Sequence, residues 1–232
     1  PVDAFLDPDV AGNPAKIAAA FAEVLIEGCD KTSIEYVYGG GNAAAVPATE
    51  VTVKGTYIID YVFGGGNGKS TSTYTNPGAD VGIIDKTTHA ADPTTGNYGT
   101  GKAVTKLIGG KIHVVFGGSN TLGNVRGGTD VRMPQNDGTG DCCATLDVRE
   151  IYGAGQNAEQ EGGVNLILGC VEGLQNVYGG ARNANIAGGI NLTVTSGTFE
   201  NVFGGNDVAG TIQGPITLNI EETACDPIII NN

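Results

Sequence analysis

The chain has 232 residues, with 25 Asp and Glu against 12 Lys and Arg, a formal net charge of −13, and 39 glycines but no Trp. A surface this acidic, with no basic cluster to offset it, repels phosphate backbones and anionic lipid headgroups, which argues against nucleic acid and membrane-surface partners. No run approaches the roughly 18 apolar residues of a membrane span, so membrane insertion is not expected either.

The first expected element is a helix within 13–27. Asn13 suits an N-cap and Pro14 the first helical position, and Ile17, Phe21, Val24 and Leu25 share one face of the run from Ala15 to Leu25. Its expected role is to cap a stack of strands whose open end would otherwise invite aggregation.

From Val37 onward one six-residue theme organises the chain. It reads VYGGGN at Val37, VFGGGN at Val62, VFGGSN at Val115, IYGAGQ at Ile151, VYGGAR at Val177 and VFGGND at Val202. The starts lie 25, 53, 36, 26 and 25 residues apart. Three intervals give the period and the 36 reads as one period with an insertion. The 53 reads either as two periods with one degenerate unit or as one period with a long loop. Self-similarity at this spacing is the mark of a solenoid. Three residues before each Val or Ile stands an apolar residue: Ile34, Ile59, Ile112, Val148, Leu174 or Phe199. Further upstream lie alternating segments, clearest in Val164-Asn165-Leu166, Ile190 to Val194 and Ile216 to Ile220. Alternation of this kind means strands with one buried face, separated by glycine corners that need a positive φ or close backbone approach. A chain whose face pattern returns every 25 residues pairs each strand with its own equivalent one turn on.

Two ladders follow from such stacking. The aromatic one is Tyr38, Phe63, Phe116, Tyr152, Tyr178 and Phe203. The amide one is Asn42, Asn67, Asn120, Asn183 and Asn206, with Asn157 shifted by one. The amides can bond along the axis, and Asn also simply favours turns. Each aromatic directly follows a Val or Ile, so in a straight strand one of the pair faces outward, where it would stack on sugar rings. A bare aromatic stripe is costly to keep soluble, so these rings are expected to fill the core or pack under the glycine turns.

Insertions are expected at 68–102 and 127–143, both leaving just after the GG-N corner and emerging on the same edge. Loops on a rigid scaffold commonly hold binding residues, and Tyr74, His89, Asp92, Tyr98, Arg132 and Asp137 are the candidates. Of the five cysteines, Cys29, Cys142, Cys143, Cys170 and Cys225, the odd number cannot pair fully within one chain, and the adjacent Cys142 and Cys143 read as loop thiols ahead of a vicinal disulfide or a soft-metal contact. Their spacing, with only His89 and His113 to assist, does not suit zinc. Gly205-Asn206-Asp207 lacks the nine-residue spacing of calcium-binding solenoids, so no metal or other cofactor is expected. Residues 216–232 read as a last strand or a stub.

The phrase SGTFENVFGGN from Ser196 to Asn206, with its variants along the chain, resembles repeats in large secreted or cell-surface proteins of gut bacteria. These are adhesin-like proteins of the pectate-lyase-like right-handed parallel β-helix class. The resemblance covers about Val24 to Ile220. It implies an extracellular or cell-surface bacterial location and a role in adhesion, and it transfers no catalytic signature.

The expected architecture is therefore an all-β solenoid in one domain over 1–232, a right-handed parallel β-helix of about 6–8 rungs with a short N-terminal capping helix. The expected function is non-enzymatic: an adhesin-like module presenting its insertions to a glycan or to a host or bacterial surface protein, with further domains of the same chain left open. Two alternatives stand beside it. A polysaccharide lyase or glycoside hydrolase would need clustered carboxylates with a base. The best face for them is the outward ladder Glu35, Asp60, His113, Arg149, Gln175 and Glu200, where Glu35 and Asp60 would lie about 5 Å apart, as retaining carboxylates do. That ladder mixes signs freely, as an ordinary solvated stripe does. The other alternative is a structural stalk segment of a larger adhesin.

Overall fold

A computed structural model describes residues 21–28, 31–69, 79–82, 100–133, 146–171, 173–221 and 227–231. The strands in chain order are β1 (Ala22–Glu27), β2 (Ser33–Tyr38), β3 (Thr49–Gly55), β4 (Ile58–Phe63), β5 (Ala103–Leu107), β6 (Gly110–Phe116), β7 (Thr129–Arg132), β8 (Leu146–Tyr152), β9 (Val164–Leu168), β10 (Leu174–Tyr178), β11 (Ile190–Val194), β12 (Gly197–Phe203), β13 (Ile216–Ile220) and β14 (Ile228–Ile230). Successive strands alternate between two seven-stranded parallel sheets. The odd-numbered strands run in order through the first sheet and the even-numbered ones through the second. Each strand thus pairs with its equivalents one unit earlier and later, a solenoid-like parallel arrangement whose turns are called rungs below.

Like residues meet like because the register repeats. In the first sheet Val24, Val51, Thr105, Val131, Leu166, Leu192 and Leu218 form one column. In the second, Val37, Val62, Val115, Ile151, Val177 and Val202 align. These last are the six starts of the repeated theme. Since β4 pairs directly with β6, the interval of 53 is one period carrying a long insertion. Inward residues of both sheets make one core, with Val51, Val62, Val131, Ile151, Leu166 and Leu192 all at 0% exposure. Burial of each such side chain contributes about 1.5–3 kcal/mol.

The apolar residue three positions before each Val is also inward: Ile59, Val148, Leu174 and Phe199 are fully buried and Ile112 nearly so. In a straight strand a spacing of three would put it on the opposite face. The pairing explains the exception. The four ladders of the second sheet that run past the position of Glu35, Asp60, His113, Arg149, Gln175 or Glu200 all skip it. The strand bends there, and two consecutive residues face out between two that face in.

Beyond the bend the glycines are needed for close approach rather than for a left-handed backbone. A Cβ on Gly39, Gly64, Gly117, Gly153 or Gly179 would overlap the carbonyl oxygen of the glycine one rung on and a first-sheet side chain such as Val51, Val131 or Val164. None of these five has a positive φ. Thr49 Oγ1 and Thr129 Oγ1 donate to the carbonyls of Gly64 and Gly153, both at 2.6 Å, and tie the two sheets together at this corner. Short bridges add further parallel pairing between units. Val81 pairs with Val46 and Val125, and Ile186 with Gln160 and Ile212.

Three expectations need correction. The helix expected within 13–27 is contradicted at its end, because Ala22–Glu27 is β1, with Ile26 buried and Val24 packed against the core. Its pairing to β3 along the whole segment supplies hydrogen bonds that outweigh a helical pattern. Residues 13–20 lie outside the described residues, so the cap does too. The insertion expected at 68–102 contains a returning piece at 79–82, held by the Val81 bridges. That expected at 127–143 contains β7, so the chain leaves the rungs only after Met133. The two interruptions consequently depart from different corners.

At the far end the described core residues are more exposed. Ile216, Leu218 and Ile220 are 50%, 41% and 54% exposed, whereas Ile190, Leu192 and Val194 one rung earlier are 2%, 0% and 0% exposed.

Candidate ligand-binding surfaces

The roots of the interruptions are fixed by the rungs themselves. At the first, Gly82 N–H donates to Val46 at 2.7 Å and Gly101 N–H to Pro47 at 3.0 Å. Arg126 spans neighbouring rungs here. Its guanidinium meets Asp80 Oδ2 and Glu161 Oε1, each at 2.9 Å. Asn124 joins them by donating its amide nitrogen to Glu161 Oε1 at 2.6 Å and its backbone N–H to Asp80 Oδ1 at 2.9 Å. Asp80 is buried, and charge-assisted bonds of this kind are what allow a carboxylate to remain there.

At the second root Arg132 is the one candidate binding residue among the described residues. It lies on the outer face of β7 and forks Asp130, Nε to Oδ1 at 2.7 Å and Nη2 to Oδ2 at 2.5 Å. Asn165 donates to the same Oδ1 at 3.2 Å. Burial alone would raise the Asp130 carboxyl, but the hydrogen bonds and charge of Arg132, with Asn165, outweigh it and hold it below its ordinary value. The guanidinium is half exposed, so it can still meet an acidic group from solvent. Tyr74, His89, Asp92, Tyr98 and Asp137 lie outside the described residues, as do Cys29, Cys142, Cys143 and Cys225. Cys170 is a buried free thiol.

The outward ladder at the bend is occupied by pairing along the axis. His113 Nδ1 and Asp60 Oδ1 are 2.9 Å apart, and Arg149 Nε donates to Gln175 Oε1 at 2.9 Å.

The aromatic ladder stands outside the main core. Rings Tyr38, Phe63, Phe116, Tyr152, Tyr178 and Phe203 stack in sequence with centroids 4.6–5.1 Å apart and planes within 15°. The middle three are buried as a cluster of their own, packed by Tyr38, Tyr61, Val114 and Tyr178, while Phe203 is 46% exposed. The expectation of packing beneath the turns holds for the middle, and turn side chains reach back over the rings. Asn120 donates to the Tyr38 hydroxyl at 3.2 Å, and the Tyr152 hydroxyl donates to Asp207 at 3.0 Å. Burial first, then Asp207, push the Tyr152 phenol well above its ordinary value.

The amide ladder holds in its first half, Asn67 to Asn42 at 2.8 Å and Asn120 to Asn67 at 2.9 Å. Asn183 donates to Asn157 at 3.3 Å, and Asn206 turns away to the backbone of Ala181 and Ala184. Sequence reasoning missed a second aromatic column. Tyr36 stacks on Tyr61 at 5.1 Å with planes 10° apart, and Tyr36 is 46% exposed. The signal was present, a Tyr one residue before the theme in two units, but the other units carry Val114, Glu150, Asn176 and Asn201 there. It missed likewise the outer ladder in which Asn191 donates to Asn165 at 3.1 Å.

Comparison with family models, with curated proteins and with solved structures finds no match for this chain.

Proposed function

We propose that the chain is a right-handed parallel β-helix serving as a non-enzymatic, secreted or cell-surface module that holds binding loops, adhesin-like in character, toward a glycan. Parallel crossover connections are almost always right-handed, which supports the hand. The observation that carries the functional reading is the anchoring of the interruptions. Each begins and ends on paired backbone, and the first is knotted further by Asp80, Arg126, Asn124 and Glu161 across rungs. A scaffold of this rigidity lets loops contribute to affinity without a large ordering cost. The pairing of Asp60 with His113 and of Arg149 with Gln175 favours a solvated stripe over an acid–base site. The experiment is a glycan-array screen run beside a polysaccharide-depolymerisation assay on the same protein, with and without calcium. Binding without cleavage is the expected result, lost on deletion of 83–99. Released oligosaccharides would overturn the non-enzymatic reading.

A second reading, a structural segment of a longer adhesin-like solenoid, is favoured by the half-exposed Ile216, Leu218 and Ile220. One further parallel strand would bury them as Ile190, Leu192 and Val194 are buried.

A further inference from the structure

Among the described residues, the aromatic columns end in a surface formed by the strands themselves. Because the rings stack along the axis, each ring uses both faces on its neighbours, and only a terminal ring has a face to offer. Among the described residues β2 is the terminal strand of its sheet, so Tyr36 and Tyr38 are the last rings of their columns. They lie side by side, centroids 6.1 Å apart and planes within 7°. Beneath them Tyr61 and Phe63 form a matching layer, each 5.1 Å from the ring above. The result is a two-ring plate backed by a second two-ring layer, with Tyr36 46% exposed. At the opposite end Phe203 is a single ring, since Asn201 occupies the neighbouring column.

The rim of the plate is polar. Glu35 adjoins Tyr36 in β2, and the Tyr38 hydroxyl accepts from Asn120. A pyranose has a flat C–H face that packs on aromatic rings and a periphery of hydroxyls that such a rim can bond. A lone cation needs one ring face, not two joined edge to edge. The net charge of −13 disfavours uronic or sulfated sugars. We infer that the Tyr36–Tyr38 plate is the sugar-stacking site of this protein, taking an uncharged polysaccharide end-on to the aromatic columns. The inference rests on the glycan-binding reading above and adds a contact on the scaffold to that of the loops.

The test is titration of the full chain with cellohexaose, chitohexaose and polygalacturonate, followed by isothermal calorimetry and tyrosine fluorescence. The expected result is binding of a neutral hexasaccharide and none of polygalacturonate. Tyr36→Ala should weaken it about tenfold or more, while Tyr36→Phe stays within about threefold. Phe203→Ala, at the other exposed ring, should leave affinity unchanged. Tyr36 is on a half-exposed edge, and circular dichroism checks that its variants fold. Wild-type binding that survives Tyr36→Ala would overturn the plate while sparing the glycan reading. Preference for polygalacturonate would overturn the choice of an uncharged ligand. No binding to any of the three would overturn the plate, and a silent glycan array would overturn the glycan reading itself.

Discussion

Gly117→Ala tests the packing at the glycine corner, with Gly204→Ala as its internal control. Both residues occupy the same column of the repeat and neither has a left-handed φ. At Gly117 an added Cβ would overlap the Gly153 carbonyl oxygen and Val131 Cγ2. At Gly204, on the last rung, it meets only Ile216 Cγ2, at 3.2 Å. Overpacking a close-packed interior costs about 1–3 kcal/mol. Prising the rungs apart also weakens the bond from Gly117 N–H to Tyr152 O, now 2.9 Å, at about 1–3 kcal/mol for a buried group left unpaired. Reduced freedom of the unfolded chain returns about 0.4–1 kcal/mol. Gly117→Ala should therefore lose about 1–5.5 kcal/mol, centred on about 3, and Gly204→Ala should stay within about 1 kcal/mol of wild type. Urea unfolding at constant m-value measures both. Equal losses in the two variants, or no loss at Gly117, would refute the close-approach argument.

Other outcomes follow from the same geometry. Leu192→Ala should lose about 2–5 kcal/mol because its site is fully buried, and Leu218→Ala in the same column markedly less because 41% of that residue is exposed, compared by the same urea midpoints. The raised Tyr152 phenol favours the protonated form in the folded state. Its contribution is fully present below the ordinary tyrosine range and lost as pH rises through the folded value, and ultraviolet difference titration should show earlier ionisation in Asp207→Asn. Asp130 has the opposite sign. Its contribution is present above the ordinary carboxylate range and lost as pH falls through the lowered folded value, and carboxyl-carbon NMR of Arg132→Ala should show the Asp130 titration moving upward.

Legibility in the sequence divided along physical lines. In stacked rungs each residue touches its own equivalent, so the repeat from Val37 to Val202 was already a contact map, and the register of the second sheet could be read from spacing alone. The bend was not readable, because an apolar pair three residues apart is ambiguous until the skipped pairing at Glu35 or Asp60 is seen. Ala22 to Glu27 misled because Val24 and Leu25 fit a helical face while Ala22, Val24 and Ile26 fit alternation, and a run this short does not discriminate. Pairing with β3 decided it. At the candidate sites the ring columns were visible but not their ends. The Tyr36 plate depends on which strand terminates the sheet, and the Asp80–Arg126–Glu161 knot joins residues from three separate rungs with no common spacing.

The account rests most directly on the claim that each repeat unit is one turn of a β-helix. Nitroxide labels introduced as unnatural amino acids on the outer face, with the native cysteines left in place, can count the rungs by pulsed electron resonance. From Glu50 the column runs through Val104, Asp130 and Asn165 to Asn191 and Thr217. At about 4.8 Å per rung, Glu50 to Asn191 should span about 19 Å and Glu50 to Thr217 about 24 Å. A constant increment per rung is the expected result. An extra increment across the 53-residue interval, or distances that do not grow with rung number, would contradict the account.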